Sequence, residues 1–442
     1  MRQRFIFWFW LPLFASWLLM TAEGPLISAA INRLPNEVTM MAAYGIVVSL
    51  SVLIESPIIN LLATSTALVK DRASYLLVRR FTIHWMIGLT IISILVAFTP
   101  LFDLIVVKLL ETPPEVARWV EPGMKIMIFW SAAIAWRRFL QGVMIHFGQT
   151  RKVAWGTAVR LVASGGTAVS LAIFSGLPGV IIGAISLMAG VIAEASYATL
   201  AVRSILHFNL APNRPAAAGN PLTYRALFWF HLPLAATSVL LLLVHPLVTS
   251  SLARLAYPVV SLAAWPIVFQ ITLMARAGAL ALPEVVIALN DRPNSFVPIR
   301  RFSFNLTLVI TVSMLIFILT PLASFYIFVI QDMTSVVGEL ARSSLIYFLF
   351  FPALTTIISW LRGLLINRRV TKAVNMGMMI NLGITAVVLG IGLFLQWPGI
   401  PTAALALNLA AVAEIIYLGL KTQQTLPAET PLLGRPAMQP VP

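Results

Sequence analysis

The stretch FWFWLPL at Phe7–Leu13 returns as FWFHLPL at Phe228–Leu234, 221 residues further on. Working outward from that pair, the same offset keeps matching residues that a membrane composition has no reason to repeat. Pro12 and Pro25 fall on Pro233 and Pro246, and Arg33-Leu34 falls on Arg254-Leu255. RRFT at Arg79–Thr82 falls on RRFS at Arg300–Ser303, and TPL at Thr99–Leu101 on TPL at Thr320–Leu322. With one residue deleted, Pro178-Gly179 aligns with Pro398-Gly399, Ala193-Glu194 with Ala413-Glu414, and Tyr197 with Tyr417. Apolar composition alone produces coincidences of Leu, Ile and Val, but not of Pro, Arg and Glu. The chain therefore reads as a duplication.

What is duplicated follows from composition. Of 442 residues, 60% are hydrophobic and only 10% charged, with mean hydropathy +0.93. A soluble domain carries about 25% charged residues, so a soluble fold is excluded, as are disorder and a collagen repeat. There is no cysteine, which removes disulfide scaffolds, thiol catalysis and cysteine metal sites. The apolar runs are long and continuous, whereas barrel strands alternate over about ten residues. The net charge of +15 would suggest nucleic acid in a soluble protein, but here basic cytoplasmic loops account for it. The first apolar run, Phe5 to Leu19, follows Arg2 and Arg4 in the manner of a signal peptide. It continues through Pro25 to Ala30 without a cleavage pattern and reads as a retained helix.

At about twenty apolar residues per crossing, twelve spans are expected near 6–31, 38–68, 82–110, 124–147, 153–175, 180–203, 226–250, 257–288, 303–330, 340–366, 374–395 and 400–420. Alternate connections differ in charge. One side holds Arg2, Arg4, Lys70, Arg72, Arg79, Arg80, Arg151, Lys152, Arg203, Arg214, Arg225, Arg292, Arg300, Arg301, Arg368, Arg369, Lys372, Lys421 and Arg435; the other holds only Arg33, Lys108, Arg118, Lys125, Arg254 and Arg342. That asymmetry predicts both termini in the cytoplasm. Six spans per half make the repeats parallel, related by an axis along the membrane normal. The expected organisation is an N-lobe at 1–203, a cytoplasmic linker at 204–225, a C-lobe at 226–422 and a disordered polar tail at 423–442. Two such six-helix bundles leave room for a central cavity about which they can rock.

Several segments carry a further resemblance: AINR at Ala30–Arg33, AAYGIVVSL at Ala42–Leu50, KDR at Lys70–Arg72, FFPALTT at Phe350–Thr356 and SWLRG at Ser359–Gly363. With the 6+6 parallel repeat, they resemble the multidrug/oligosaccharidyl-lipid/polysaccharide (MOP) flippase superfamily, which includes the multidrug and toxic compound extrusion (MATE) transporters. Within it they look most like the progressive ankylosis protein branch. The resemblance implies a V-shaped pair of six-helix lobes and a secondary transporter rather than an enzyme. That branch is associated with export of organic or phosphate-bearing anions such as citrate, nucleotides and pyrophosphate. The MATE branch exports cationic drugs against sodium or protons, and no MATE cation-site acid is recognised in register here.

Ionisable groups in a membrane core cost at least about 2.5 kcal/mol each at a helix centre and so mark candidate sites. Tyr44, Ser51 and Glu55 share one face of the second span, and Trp265, Thr272 and Arg276 occupy the same positions of the eighth at offset 221. The aromatic and hydroxyl positions are kept while the charge is reversed. These six residues are expected to line the cavity, with Glu55 and Arg276 pairing in one state; a static buried ion pair is the alternative. Glu23 beside Gly24-Pro25 and His245 beside Pro246 sit at proline bends and, with Glu55, are coupling-ion candidates. Arg137 and Arg138 lie in the middle of the fourth span; Arg138 is nine residues from Phe147, about 13 Å deep. Arginine's planar fork suits carboxylate and phosphate. Internal neutralisation is the competing reading, with Glu194 on Arg160 and Glu414 on Arg362, which leaves Arg137 and Arg138 for an anion.

There is no GxxxxGK[ST], HExxH, GxSxG or EF-hand spacing, so no enzyme is expected, and no metal or cofactor beyond a coupling Na+ or H+. The leading reading is a secondary active exporter of an organic or phosphate-containing anion. The alternatives are a MATE-type cation/multidrug antiporter driven by Na+ or H+, and a lipid-linked precursor flippase. The expected partners are a small-molecule substrate and the lipid bilayer, not nucleic acid. The protein is expected to be a monomeric, multi-pass protein of the cytoplasmic (inner or plasma) membrane.

Overall fold

The computed structural model describes residues 2–212, 221–290, 295–368 and 370–425. Arg214, Arg292, Arg369 and Arg435, and the tail from residue 426 on, lie outside the described residues. What is described is helical, with no β-strand. This is the expected answer of a chain whose apolar runs must satisfy their own backbone groups without water.

In chain order the long helical segments are α1 (Gln3–Ile31), α2 (Glu37–Leu68), α3 (Arg72–Phe98), α4 (Pro114–Ile126 continued by Trp130–His146), α5 (Thr150–Phe174), α6 (Gly179–Phe208), α7 (Tyr224–Arg254), α8 (Pro258–Ala275 continued by Ala277–Leu289), α9 (Phe296–Leu319), α10 (Ser335–Phe348 and Phe351–Asn367, bent by 45°), α11 (Thr371–Phe394) and α12 (Gly399–Thr425). Among the described residues, ten helices are long and apolar enough to cross a membrane, and eleven if the bent α10 is one span. The count falls short of twelve at α4. It is interrupted by a 3₁₀ turn at Met127–Phe129 and carries Glu121, Lys125, Arg137 and Arg138. These helices make the chain an integral multi-pass membrane protein.

The duplication is written into the irregular backbone as well. A π-helical turn at Asp103–Leu109 has its counterpart at Phe325–Ile330. Left-handed residues Asn36, Glu111 and Gly176 recur as Tyr257, Asp332 and Gln396, at offsets of 221, 221 and 220. Side chains other than glycine occupy that region reluctantly, so their recurrence reflects one ancestral chain path. Helix starts are fixed locally. Asp71 caps α3 in a reciprocal box with Ser74, and the Thr223 hydroxyl accepts from the Ala226 amide at the start of α7.

Internal contacts divide the chain into two compact units. One comprises Met1–Thr21, Val268–Ser324 and Arg342–Pro442; the other comprises Ala22–Ile267 and Phe325–Ala341. Each draws on both sequence repeats. In the first, Trp10 stacks on Phe14 at 4.8 Å and meets Phe302 edge-on. In the second, α2, α4, α5 and α6 bury a core around Met40, Ile46, Phe139 and Val191. Gly142 lets α4 approach α2 until a Cβ there would stand 2.4 Å from the Leu62 carbonyl oxygen.

Candidate functional site

The charged pair singled out by the repeat sits where two helices break. α2 runs straight to Glu55, turns through a 3₁₀ segment at Ser56–Ile58, and resumes at Leu61. Pro57 lacks the N–H that the Leu53 carbonyl would receive, and the Ser56 amide and hydroxyl donate to that carbonyl instead, the hydroxyl at 2.6 Å. α8 breaks at the equivalent residue, Arg276, before Ala277–Leu280.

Each break is held by a ring from the repeated FWF[WH]LPL stretch. In one unit the Trp10 indole N–H donates to the Gly278 carbonyl at 2.9 Å. In the other, His231 Nε2 lies 3.0 Å from the Pro57 carbonyl. Trp10 and His231 are repeat equivalents, as are Gly278 and Pro57. A carbonyl only accepts, so His231 carries its proton on Nε2, while its Nδ1 faces the Thr64 hydroxyl at 2.9 Å. Asn60 adds bonds to the Leu234 carbonyl and the Ser238 hydroxyl. His231 is wholly buried.

Glu23 begins the second segment of α1, which restarts after Ala22 with Pro25 in its first turn. There the proline costs no hydrogen bond and the carboxylate faces the positive helix end. Arg160 grips it with Nε at 3.0 Å from both oxygens and Nη2 at 2.5 Å from Oε2. Arg160 Nη1 also reaches Glu194 at 3.8 Å. Glu194, fully buried, accepts from Arg137 Nη1 at 2.8 Å and Gln141 Nε2 at 2.9 Å. Arg137, expected to lack an acid, is thus committed to Glu194. Glu55, Arg138 and the Trp130 indole complete the electrostatic neighbourhood. Three carboxylates balance three guanidinium groups, yet Glu55 Oε2, Arg137 Nε, Arg138 Nε and Trp130 Nε1 are buried without a hydrogen-bond partner.

The second repeat builds a smaller version of this node. Glu414, fully buried, accepts from Arg362 Nε at 2.8 Å and Asn381 Nδ2 at 2.9 Å, which is the expected Arg362–Glu414 pairing. Arg362 is the equivalent of Gln141, and Asn381 of Arg160. Beside the equivalent glutamates the amide and arginine positions are exchanged, Gln141 and Arg160 in one repeat against Arg362 and Asn381 in the other, while Arg137 has Ile358 as its counterpart. The exchange was readable from the offset but only becomes meaningful once the three helices are seen to meet.

Arg276 differs from every other arginine of the set. It is half-buried, makes no ion pair among the described residues, and its guanidinium lies 4.6 Å from the Phe351 ring and 6.0 Å from the Phe269 ring. Its Nε has no hydrogen-bond partner. Of the remaining candidates, Tyr44 is packed where a Cβ on Gly183 would touch its ring at 2.7 Å, and Ser51 donates to Met124 Sδ at 3.9 Å. Trp265 is buried. Thr272 donates back to the Phe269 carbonyl. His245 is half-buried on α7, its carbonyl taking the Thr249 hydroxyl. Among the described residues no three His, Asp or Glu side chains converge on a metal-sized site.

Against solved structures, the chain aligns over 92% of its length with 95% of an inward-facing multidrug resistance MATE family transporter of the MOP superfamily, at TM-score 0.69 and 12% identity. It aligns over 92% with 86% of the lipid II flippase MurJ in an inward closed conformation, at TM-score 0.70 and 14% identity. The chain has a MATE-like fold. A MOP superfamily transporter from Pyrococcus furiosus, whose structure is described as having a binding pocket of reverse polarity, is similar at TM-score 0.64 and 12% identity over 94% of this chain and 95% of that one. These neighbours are membrane transporters and flippases, not enzymes. No family model matches the sequence, and no curated protein does.

Proposed function

We propose that the protein is a secondary active exporter of an organic or phosphate-containing anion, working by alternating access of its two repeats. The carrying observation is Arg276. A guanidinium inside a membrane-spanning segment needs a counter-charge, and this one has aromatic rings beside it but no ion pair among the described residues. An anionic substrate supplies that charge, and the planar fork accepts carboxylate or phosphate in two-point fashion. Arg138, also without an ion pair among the described residues, is a separate anion candidate. The resemblance to the progressive ankylosis branch, and a fold neighbour described by reversed pocket polarity, point the same way.

The cation-antiporter reading is weakened because Glu23 already holds Arg160 through three hydrogen bonds. Glu55, with a free buried oxygen, is the better acid for a coupling H+ or Na+. The likeness to a lipid II flippase keeps a lipid-linked anion within the same chemistry. The charge asymmetry of the connections supports twelve crossings with both termini in the cytoplasm, in the inner or plasma membrane, and a monomer suffices.

Proteoliposomes loaded with citrate, pyrophosphate or an organic cation test this. Anion efflux is expected from the parent, with loss in Arg276→Ala and Arg138→Ala while gel filtration stays unchanged. Arg276→Lys should retain part of the flux. Cation efflux alone, or anion flux indifferent to both alanine variants, would overturn the reading.

A further inference from the structure

Two arginines matched by the repeat, Arg33 and Arg254, have no part in the site described above. Both close α-helix ends onto π-helical turns of the opposite repeat. Arg33, at the end of α1, donates through Nη1 to the Ala29 carbonyl of its own helix at 2.6 Å. Through Nη2 it donates to the Val329 and Ile330 carbonyls at 3.1 and 2.9 Å. Asp332 lies 3.9 Å from its Nε. Arg254, at the end of α7, donates to the Leu109 carbonyl and lies 3.4 Å from Glu111.

The correspondence is residue for residue: Leu109 is the equivalent of Ile330, and Glu111 of Asp332, both left-handed. The turn geometry matches too. Leu110 N–H donates to Ile105 and Thr112 N–H to Val106, as Gln331 does to Tyr326 and Met333 to Ile327. In each case two helical C-termini, both carrying partial negative charge, are brought together; Arg33 donates to carbonyls of both, and Arg254 to the Leu109 carbonyl of the opposite repeat. Without these guanidinium groups the free carbonyls require water. The acid adds little, since these ion pairs are largely exposed.

We infer that Arg33 and Arg254 form a twofold latch that joins the two repeats at the end remote from the basic connections, and that must release when that end opens. The inference rests on the alternating-access reading for its purpose, but not for its test. The latch is strong enough to bias a closed state and exposed enough to let go, because water can replace each guanidinium at the carbonyls. Thr112 and Met333, directly after the two acids, are buried while it is shut.

The chain has no cysteine, so Thr112→Cys or Met333→Cys gives a single reporter. In purified protein in detergent, where either face is reachable, the rate of maleimide labelling reads opening. Arg33→Gln or Arg254→Gln should speed labelling about tenfold each, the weight of one charge-assisted hydrogen bond, and the double variant more. Arg33→Lys, which still donates to carbonyls, should stay near the parent. The swap Arg33→Asp with Asp332→Arg should label as fast as Arg33→Gln, because carbonyls cannot receive an acid. Unchanged labelling in both single glutamine variants, with gel filtration as for the parent, would overturn the latch. So would full rescue by the swap, which would make it a simple ion pair. If the parent moves no substrate while labelling still responds as expected, the transport reading fails and the latch stands.

Discussion

Arg160 closes on Glu23 with three hydrogen bonds while one of its nitrogens also approaches Glu194. Both acids are buried, so Arg137 and Arg160 are resident counter-ions before they are anything else. Breaking a buried pair by removing one partner typically costs about 3–5 kcal/mol, because the survivor keeps its desolvation cost. Arg160→Gln should therefore lower the thermal midpoint of the purified protein strongly. Glu23→Gln combined with Arg160→Gln should recover most of that loss, since two amides can bond each other without a net buried charge. Additive losses in the double variant would mean the two side chains are not coupled as the geometry shows. Arg276 is the contrasting case: removing it strands no carboxylate, so Arg276→Ala should spare stability and spend its effect on anion flux.

At the scale of elements, the informative features are the interruptions. α2 and α8 break at Glu55 and Arg276, and each free carbonyl near the break is met by a ring from the first helix of the opposite repeat. The two rings differ, indole in one case and imidazole in the other, but both present an N–H to a carbonyl. His231→Gln keeps a donor at about the same reach and should melt close to the parent. His231→Phe fills the space without a donor and should lose about 1–3 kcal/mol, the cost of an unsatisfied buried carbonyl. A phenylalanine variant as stable as the glutamine variant would show that packing against Phe81 and Trp85, not the hydrogen bond, holds this break.

For the molecule as a whole, the compact units do not coincide with the two halves of the sequence. Residues 1–21 belong with segments of the second repeat, and residues 224–267 belong with the first. Each unit is completed by segments of the other repeat. Residues 1–212 and 221–442, produced as separate chains in one cell, should co-purify, whereas each produced alone should be degraded or aggregate. Stable, monodisperse halves would contradict this. The released latch predicted at Arg33 and Arg254 belongs to the same scale, since both arginines bind across the repeat boundary.

Much of this was present in the order of residues. Composition required helices in a membrane, and the 221-residue offset required a duplication whose breaks, π-turns and left-handed residues recur in the structure. It also exposed Glu55 and Arg276 as repeat equivalents, because a charge reversal inside otherwise matched positions stands out without coordinates. Sequence could not assign the ion pairs. Arg137, Arg138 and Arg160 have no acid within reach on their own helices, and which carboxylate of another helix each meets depends on helix rotation and approach. Those are set by contacts such as Gly142 on Leu62 and Gly190 beside Glu23. Nor could it show that Trp10 and His231 serve the opposite repeat, or that Arg33 and Arg254 bridge two helix ends. Periodicity reports which face of a helix is apolar, but a hydrogen bond between residues more than a hundred positions apart exists only after the chain has chosen which helices become neighbours.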